Sequence, residues 1–429
     1  MKKETTAREI VNMLPKGLLK ELSEKYKIDY KIKKLSGEVI FLTLIQALFS
    51  STNLSLRNLA IQLKDKKFQK YILKNRDYIT IDHTAFHYRL NKMSSEYFRE
   101  IFEYAKKVYS PYLIGLDRKH QPLIFDSTIV TKSAKLLQKT GFQTTGSKNT
   151  KQVKFTFALG EVPEIVKCYT DKKYHSENIA LSKTILSAKI PRKQIILFDR
   201  GMQHRATYDK ITDNGNIFVS RISRNYLAEI LREKKFDSET RITKQVTAYL
   251  YSTGKGKKTK HSYRLIHIQT DEKDTSKKDR IKQSHANLRS RRQKHIQKTK
   301  EDIYSEMQQE EIVLITNISD QEMSAEEVAE IYRERWKIEV FFRFIKQQLH
   351  FSHLLNRTEN GMKSVMYITM IYAIMLLVYK KINGLKGYQS VKLKFMLEIQ
   401  HEVSIFVMKI IQSRPEFTQV REVLKPQFL

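Results

Sequence analysis

Gln194-Ile-Ile-Leu-Phe-Asp-Arg-Gly201 runs four apolar residues, two of them β-branched, straight into a carboxylate and then a glycine. A short apolar run bounded by turn residues reads as a strand buried on both faces, the kind found in parallel sheets. Working outward, Pro122-Leu-Ile-Phe-Asp-Ser-Thr128 has the same form, and residues 153–159, 164–170 and 217–222 are further β-branched and aromatic runs. A helical segment fills residues 176–188. Three strands, a helix, a strand, a helix and a strand make an α/β order. Open α/β sheets place ligands outside the carboxyl ends of their strands, so Asp126 and Asp199, each ending an apolar run, are candidate site residues. Taken singly, each reads more readily as a turn or cap residue; two of them together with a third acid favour a site.

The flanks differ in character. Residues 1–120 read as helices, one ending near the turn cluster at residues 50–53. Residues 55–63 and 82–92, the latter opened by an Asp N-cap and carrying His87, Arg89 and Lys92, suggest a helix-turn-helix-like DNA reader or an ordinary helical pair. Between about 225 and 310 there are strand-like patches at 245–251 and 263–270 among basic runs at 255–260 and 273–300, the second with Arg289, Arg291 and Arg292. Such runs are often solvated; here they interrupt an ordered pattern and suggest an insertion that touches a nucleic-acid backbone. After a strand at 312–316, Ser324 and Glu327 form a capping-box signature that opens a helix.

That helix would carry Tyr332, Arg335, Glu339 and Lys346, which at about 100° per residue fall in one polar stripe on an otherwise apolar surface. One acid, two bases and a phenol suit a grip on phosphate beside a metal-binding carboxylate; the plainer reading is a solvated face with an Arg335–Glu339 ion pair. Asp126, Asp199 and Glu339 together would offer an oxygen-only ligand set, which selects Mg²⁺ or Mn²⁺. Two such ions about 3.5 to 4 Å apart serve in-line displacement at phosphorus.

Composition narrows the partner. Seventy-nine Lys and Arg against 46 Asp and Glu leave a formal charge of +33, which favours a polyanion, nucleic acid first, over a membrane surface. The start, Met1-Lys-Lys-Glu-Thr-Thr6, holds no apolar signal segment, and the apolar run at 365–379 is shorter than the roughly twenty residues of a spanning helix, so a core helix and a cytoplasmic protein are expected. A single cysteine, Cys168, excludes an intramolecular disulfide and any Cys-rich zinc site. The histidines, including His204 and His350, show no metal-ligand spacing.

Asp126-Ser-Thr, Asp199-Arg-Gly and the spaced series Tyr332, Arg335, Glu339 and Lys346 resemble the signature regions of bacterial insertion-sequence transposases of the DDE class, in the branch called insertion-sequence family four. The resemblance implies an α/β, RNase H-like catalytic core at residues 119–350 with a β-rich insertion at about 225–310. All-helical regions would flank it, a DNA-binding part at 1–118 and a C-terminal part at 351–429 linked to dimerisation. It implies Asp126, Asp199 and Glu339 as the metal-binding catalytic triad, with Mg²⁺ or Mn²⁺, two ions, as cofactor. Tyr332, Arg335 and Lys346 would hold the DNA end; Tyr332 and Lys346 each lie about 10 Å along a helix from Glu339, too far to share its metal.

The implied activity is binding of terminal inverted repeats, end cleavage and strand transfer to target DNA by a cut-and-paste route, as a homodimer on double-stranded DNA. The alternatives are an RNase H-like nuclease without strand transfer and a decayed, non-catalytic DNA-binding protein. Two departures stand out. Met202 replaces the aromatic residue common after Asp-Arg-Gly, and Trp336, the only tryptophan, lies within the signature helix, where core packing is expected. Tyr249, Tyr251 and Tyr263 are then the candidates for stacking on a flipped base.

Overall fold

Side-chain caps mark where the N-terminal helices begin. Thr6 opens α1 (Ala7–Asn12) through a capping box with Glu9, α2 (Leu18–Lys25) and α3 (Gly37–Phe49) follow, and Ser55, Asp82 and Ser94 cap α4 (Leu56–Leu63), α5 (His83–Lys92) and α6 (Ser95–Tyr109). The structure is a computed structural model and describes residues 5–15, 17–49, 54–66, 68–73, 79–113, 121–137, 140–144, 147–236, 241–252, 256–269, 311–351 and 357–412. The basic run with Arg289, Arg291 and Arg292 lies outside the described residues.

The chain forms two compact units. The first comprises Met1–Lys119, Ser127–His175 and Lys337–Leu429, the second His120–Asp126 and Ser176–Trp336. In the first unit Thr358 caps α12 (Glu359–Ile382), a helix long and apolar enough to cross a membrane by composition, yet 83% of its most apolar window is buried inside the fold, as a core helix requires. Its Tyr372 meets Phe49 of α3 at 5.1 Å, and Tyr379 meets Phe395 of α13 (Tyr388–Gln412) at 5.1 Å. Asn360, near its start, accepts from the Ser95 amide at 2.9 Å and donates to the Asn91 carbonyl at 3.1 Å, tying the α5–α6 junction to α12. Beside these helices are α7 (Ala134–Leu137) and three antiparallel strands, β2 (Phe142–Gln143), β3 (Thr150–Leu159) and β4 (Pro163–Tyr169).

The helix-turn-helix-like reading of α4 and α5 does not hold. The chain between Leu63 and His83 is far longer than the three- or four-residue turn of that motif and contains a π-helical segment, Phe68–Leu73. Arg89, one of the basic residues on the second helix, is buried, donating from Nε to the Leu35 carbonyl at 2.8 Å and from Nη2 to the Ile28 carbonyl at 2.7 Å.

The second unit, with the first four residues of β1, holds the α/β pattern. β1 (Leu123–Ser133) pairs in parallel with β5 (Ile195–Phe198), and β5 with β6 (Ile217–Ile222); β10 (Glu311–Thr316), β9 (Tyr263–Gln269), β8 (Ile242–Leu250) and β7 (Ala228–Lys235) continue antiparallel. Helices α8 (Glu177–Ser187), α9 (Arg205–Asp213) and α10 (Ala325–Arg333) flank the sheet strands in sequence, α10 with the capping box of Ser324 and Glu327. The result is a mixed α/β protein with a large sheet and helices beside it. Phe198, Tyr208, Phe218 and Tyr263 form one buried aromatic cluster, with centroids 5.1 to 6.0 Å apart.

The structure corrects the sequence reading at three further places. β1 runs past Asp126 to Ser133 because Thr128 and Val130 are buried while Ile129 and Thr131 are exposed, a period-two pattern that continues the strand. β7 was not expected, since its Glu-Ile-Leu-Arg-Glu-Lys-Lys segment has no apolar alternation; it is a mostly exposed strand held by its ladder to β8. The signature helix is interrupted. α10 ends at Arg333 and α11 (Trp336–Gln348) begins after two intervening residues, because the Glu334 and Arg335 amides bond three residues back, to the Ile331 and Tyr332 carbonyls, and tighten the turn.

Candidate functional site

All four residues of β5 are buried, so the chain must leave the sheet edge at Asp199, and the loop that follows is fixed from several sides. The Asp199 carbonyl accepts from Ser220 Oγ of β6 at 3.2 Å, and its carboxylate Oδ1 accepts the Gly201 amide at 2.8 Å, a side-chain-stabilised turn. Met202, in place of an aromatic, is fully buried, and its carbonyl accepts from Tyr208 Oη at 3.0 Å. The Gln203 amide donates to Asn178 Oδ1 of α8 at 2.5 Å.

The parallel register brings the second aspartate alongside. Leu123 lies opposite Ile196 and Ile124 opposite Leu197. Carried two residues on, the same register sets Asp126 opposite Asp199, on strands about 4.8 Å apart. Asp126 is therefore mid-strand in β1 but level with the carboxyl end of β5. The β5–β6 register, with Phe198 opposite Ser220, likewise brings Arg221 level with Asp199.

Arg335, at the break between α10 and α11, places Nη1 3.9 Å from Asp126 Oδ2, with both side chains largely covered. Tyr332, in the last turn of α10, feels both aspartates. Burial pushes its phenol up to about 12, Arg335 and Arg221 pull it down, and the charges of Asp199 and Asp126 add to the rise. It is a neutral hydrogen-bond donor at any working pH. Glu339 and Lys346 are on α11 in the first unit, where Lys346 Nζ lies 6.0 Å from the Phe342 ring centroid.

So four of the six expected site residues, Asp126, Asp199, Tyr332 and Arg335, converge within one unit. Arg221, which lowers the Tyr332 phenol's pKa, was not singled out from sequence, although it and Ser220 interrupt an apolar run. Trp336 is 55% exposed and does not pack in the core, because it sits at the helix break where the amphipathic count restarts. Tyr263 is fully buried and donates to Asp209 Oδ1 at 2.8 Å, which removes it as a stacking surface, whereas Tyr249 carries Lys258 Nζ 4.7 Å from its ring.

Among the described residues no three His, Cys, Asp or Glu side chains are grouped as a ready metal cluster. What the second unit offers is the Asp126–Asp199 pair, whose donors are all oxygen and suit a hard divalent ion. Residue 201 is closely approached there: a Cβ on Gly201 would lie 2.9 Å from Asp199 Oδ1, which accepts its amide, and 2.6 Å from Glu177 Oε2. The donor chemistry of the pair fits such an ion.

Parallel strands bearing carboxylates abreast, with a neutral phenol and a guanidinium beside them, define a mixed α/β protein with an acidic site suited to phosphate chemistry. The family model described as a transposase DDE domain matches residues 117–376, over half of the chain, and the protein belongs to that family. A curated relative, "Probable transposase for insertion sequence element IS5377" of Geobacillus stearothermophilus, is 34% identical over 74 residues, 17% of this chain and 19% of that protein. The chain thus matches about a fifth of that relative's length. A cryo-EM structure of a piggyBac transposase synaptic complex with hairpin DNA aligns with a TM-score of 0.40 at 10% identity, covering 97% of this chain and 82% of that one.

Proposed function

We propose that this protein is the transposase of a bacterial insertion sequence of the Tyr-Arg-Glu-Lys branch, with an RNase H-like catalytic core. It binds the terminal inverted repeats of its element, cuts the DNA ends and joins the freed 3′-OH to target DNA, as a homodimer on double-stranded DNA in the cytoplasm. The observation that carries this reading is the level pairing of Asp126 and Asp199 on parallel strands in a chain of the transposase DDE family. The formal charge of +33 supports a polyanionic partner.

In this reading Asp126, Asp199 and Glu339 hold two Mg²⁺ or Mn²⁺ ions. Bound there, such ions lower the pKa of an attacking oxygen and stabilise the leaving one in an in-line displacement at phosphorus. The chain's own residues do the rest. Arg335 offers a planar fork to a phosphate, Lys346 a point charge, and Tyr332 a phenol that keeps its proton. Holding the cut end makes its 3′-OH an effectively intramolecular nucleophile, which outcompetes water despite water's bulk concentration.

The test is joining. Purified protein with Mn²⁺ and a duplex ending in its inverted repeat with a pre-cut 3′-OH is expected to insert that end covalently into unrelated plasmid DNA. Nicking of ends without any joined product, in preparations that form paired-end complexes, would favour a hydrolytic nuclease.

A further inference from the structure

Tyr30-Lys-Ile-Lys-Lys34, in the connection between α2 and α3, is a run of five exposed residues. Tyr30 is 71% exposed, and Tyr88 of α5 is 60% exposed. Each ring has an ammonium group beside it: Lys31 Nζ lies 5.2 Å from the Tyr30 centroid and Lys92 Nζ 4.5 Å from that of Tyr88. Ile32, Lys34, Leu35, Ile81, Tyr88 and Lys92 line one open groove of about 460 Å³ in the first unit. Single exposed apolar side chains are ordinary; several lining one groove mark a binding surface.

The groove is held in shape from behind. Arg89, next to Tyr88, donates to the Ile28 and Leu35 carbonyls, and Asp29 Oδ1 accepts the Gly37 amide at 2.7 Å, so the connection is pinned to α5 and to the start of α3. Lys27 and Lys31 take left-handed backbone, with φ of 49° and 58°, a conformation that costs an L residue energy and that these bonds sustain.

Charge selects the occupant. Lys31, Lys33, Lys34 and Lys92 stand against Asp82 in the lining, whose carboxylate already accepts from the His83 amide and Thr84 Oγ1. A second copy of a chain carrying +33 would be repelled, and a polyanion drawn in. Duplex DNA offers phosphates and base edges, whereas an unpaired strand adds the flat apolar base faces that exposed tyrosines and an apolar floor can cover.

We propose that this groove binds single-stranded DNA, with one base stacked on Tyr88, another on Tyr30, and the neighbouring phosphates held by Lys31, Lys33, Lys34 and Lys92. The inference goes beyond the cutting and joining proposed above and needs neither a metal nor the acidic site.

Full-length protein in EDTA is titrated against fluorescein-labelled oligothymidylate of about 12 nucleotides, or a strand of the same length built of abasic units, and anisotropy is followed. Wild type is expected to bind the thymine strand about tenfold more tightly. Tyr88→Ala and Tyr30→Ala should each remove much of that preference without changing affinity for the abasic strand, and Tyr88→Phe should keep it. Lys33→Gln combined with Lys34→Gln should weaken both strands by a similar factor, because phosphate contacts are blind to the base. If Tyr88→Ala melts early, Tyr30→Ala and photocrosslinking decide: an irradiated strand carrying 5-iodouracil is expected to mark the peptide that holds Tyr30 or Tyr88. Equal affinity of wild type for the two strands, or a preference that survives both alanine variants, overturns the inference and leaves the groove to an acidic protein segment. With no metal present, either result is independent of whether the protein cuts or joins DNA.

Discussion

Arg335 stands 3.9 Å from Asp126, so one guanidinium faces both a carboxylate proposed to hold a metal and the phosphate expected beside it. Its place at the helix break, outside the regular turns of α10 and α11, sets it apart from Lys346, which is fixed within α11. If each holds one phosphate of the DNA end, Arg335→Ala and Lys346→Ala should each lower affinity and reduce the slope of log K against log salt by about one. Fluorescence anisotropy across a salt series measures this. Unchanged slopes in both variants would leave the two residues as ordinary helix-surface charges. At this scale the sequence was informative about chemical type and spacing and weak on surroundings. Trp336, expected to pack in the core, is exposed, and Arg89, placed on a helix that was either a DNA reader or half of an ordinary pair, donates to main-chain carbonyls.

The element that positions the site is the β5–α9 connection, and its rigidity derives from the aromatic cluster around it. Phe218 of β6 meets Tyr208 at 5.1 Å, Tyr263 at 5.6 Å and Phe198 at 5.7 Å, and Tyr208 in turn holds the Met202 carbonyl. Phe218→Ala should therefore cost about 3–5 kcal/mol of stability, read by denaturant unfolding. A loss below about 1 kcal/mol would mean that the cluster relaxes freely and does not brace the loop. The parallel strands were legible because buried strands leave continuous apolar runs, and β6 falls at the residues its run marks. β7 was not, because an exposed strand held by its backbone ladder leaves no apolar period to read. The break between α10 and α11 was equally invisible: two amides bonding three residues back change the helix without changing its composition.

Across the whole molecule, a formal charge of +33 and a family match over residues 117–376 both support the proposed phosphoryl transfer on DNA. The positions of the two strand-borne acids were legible in the sequence because sheet physics sets them, whereas the nearness of Arg335 to Asp126 is a three-dimensional fact. The central claim is that one metal-dependent centre built on Asp126 and Asp199 performs both cutting and joining. The most direct test is a single-turnover reaction with Mn²⁺ on duplexes ending in the element's inverted repeat, intact or pre-cut, using Asp126→Ala, Asp199→Ala and Glu339→Ala beside wild type. Each variant is expected to lose cutting and joining together while binding the end much as wild type does. Retention of either activity by Asp126→Ala or Asp199→Ala, in protein that folds and binds DNA, would contradict the account.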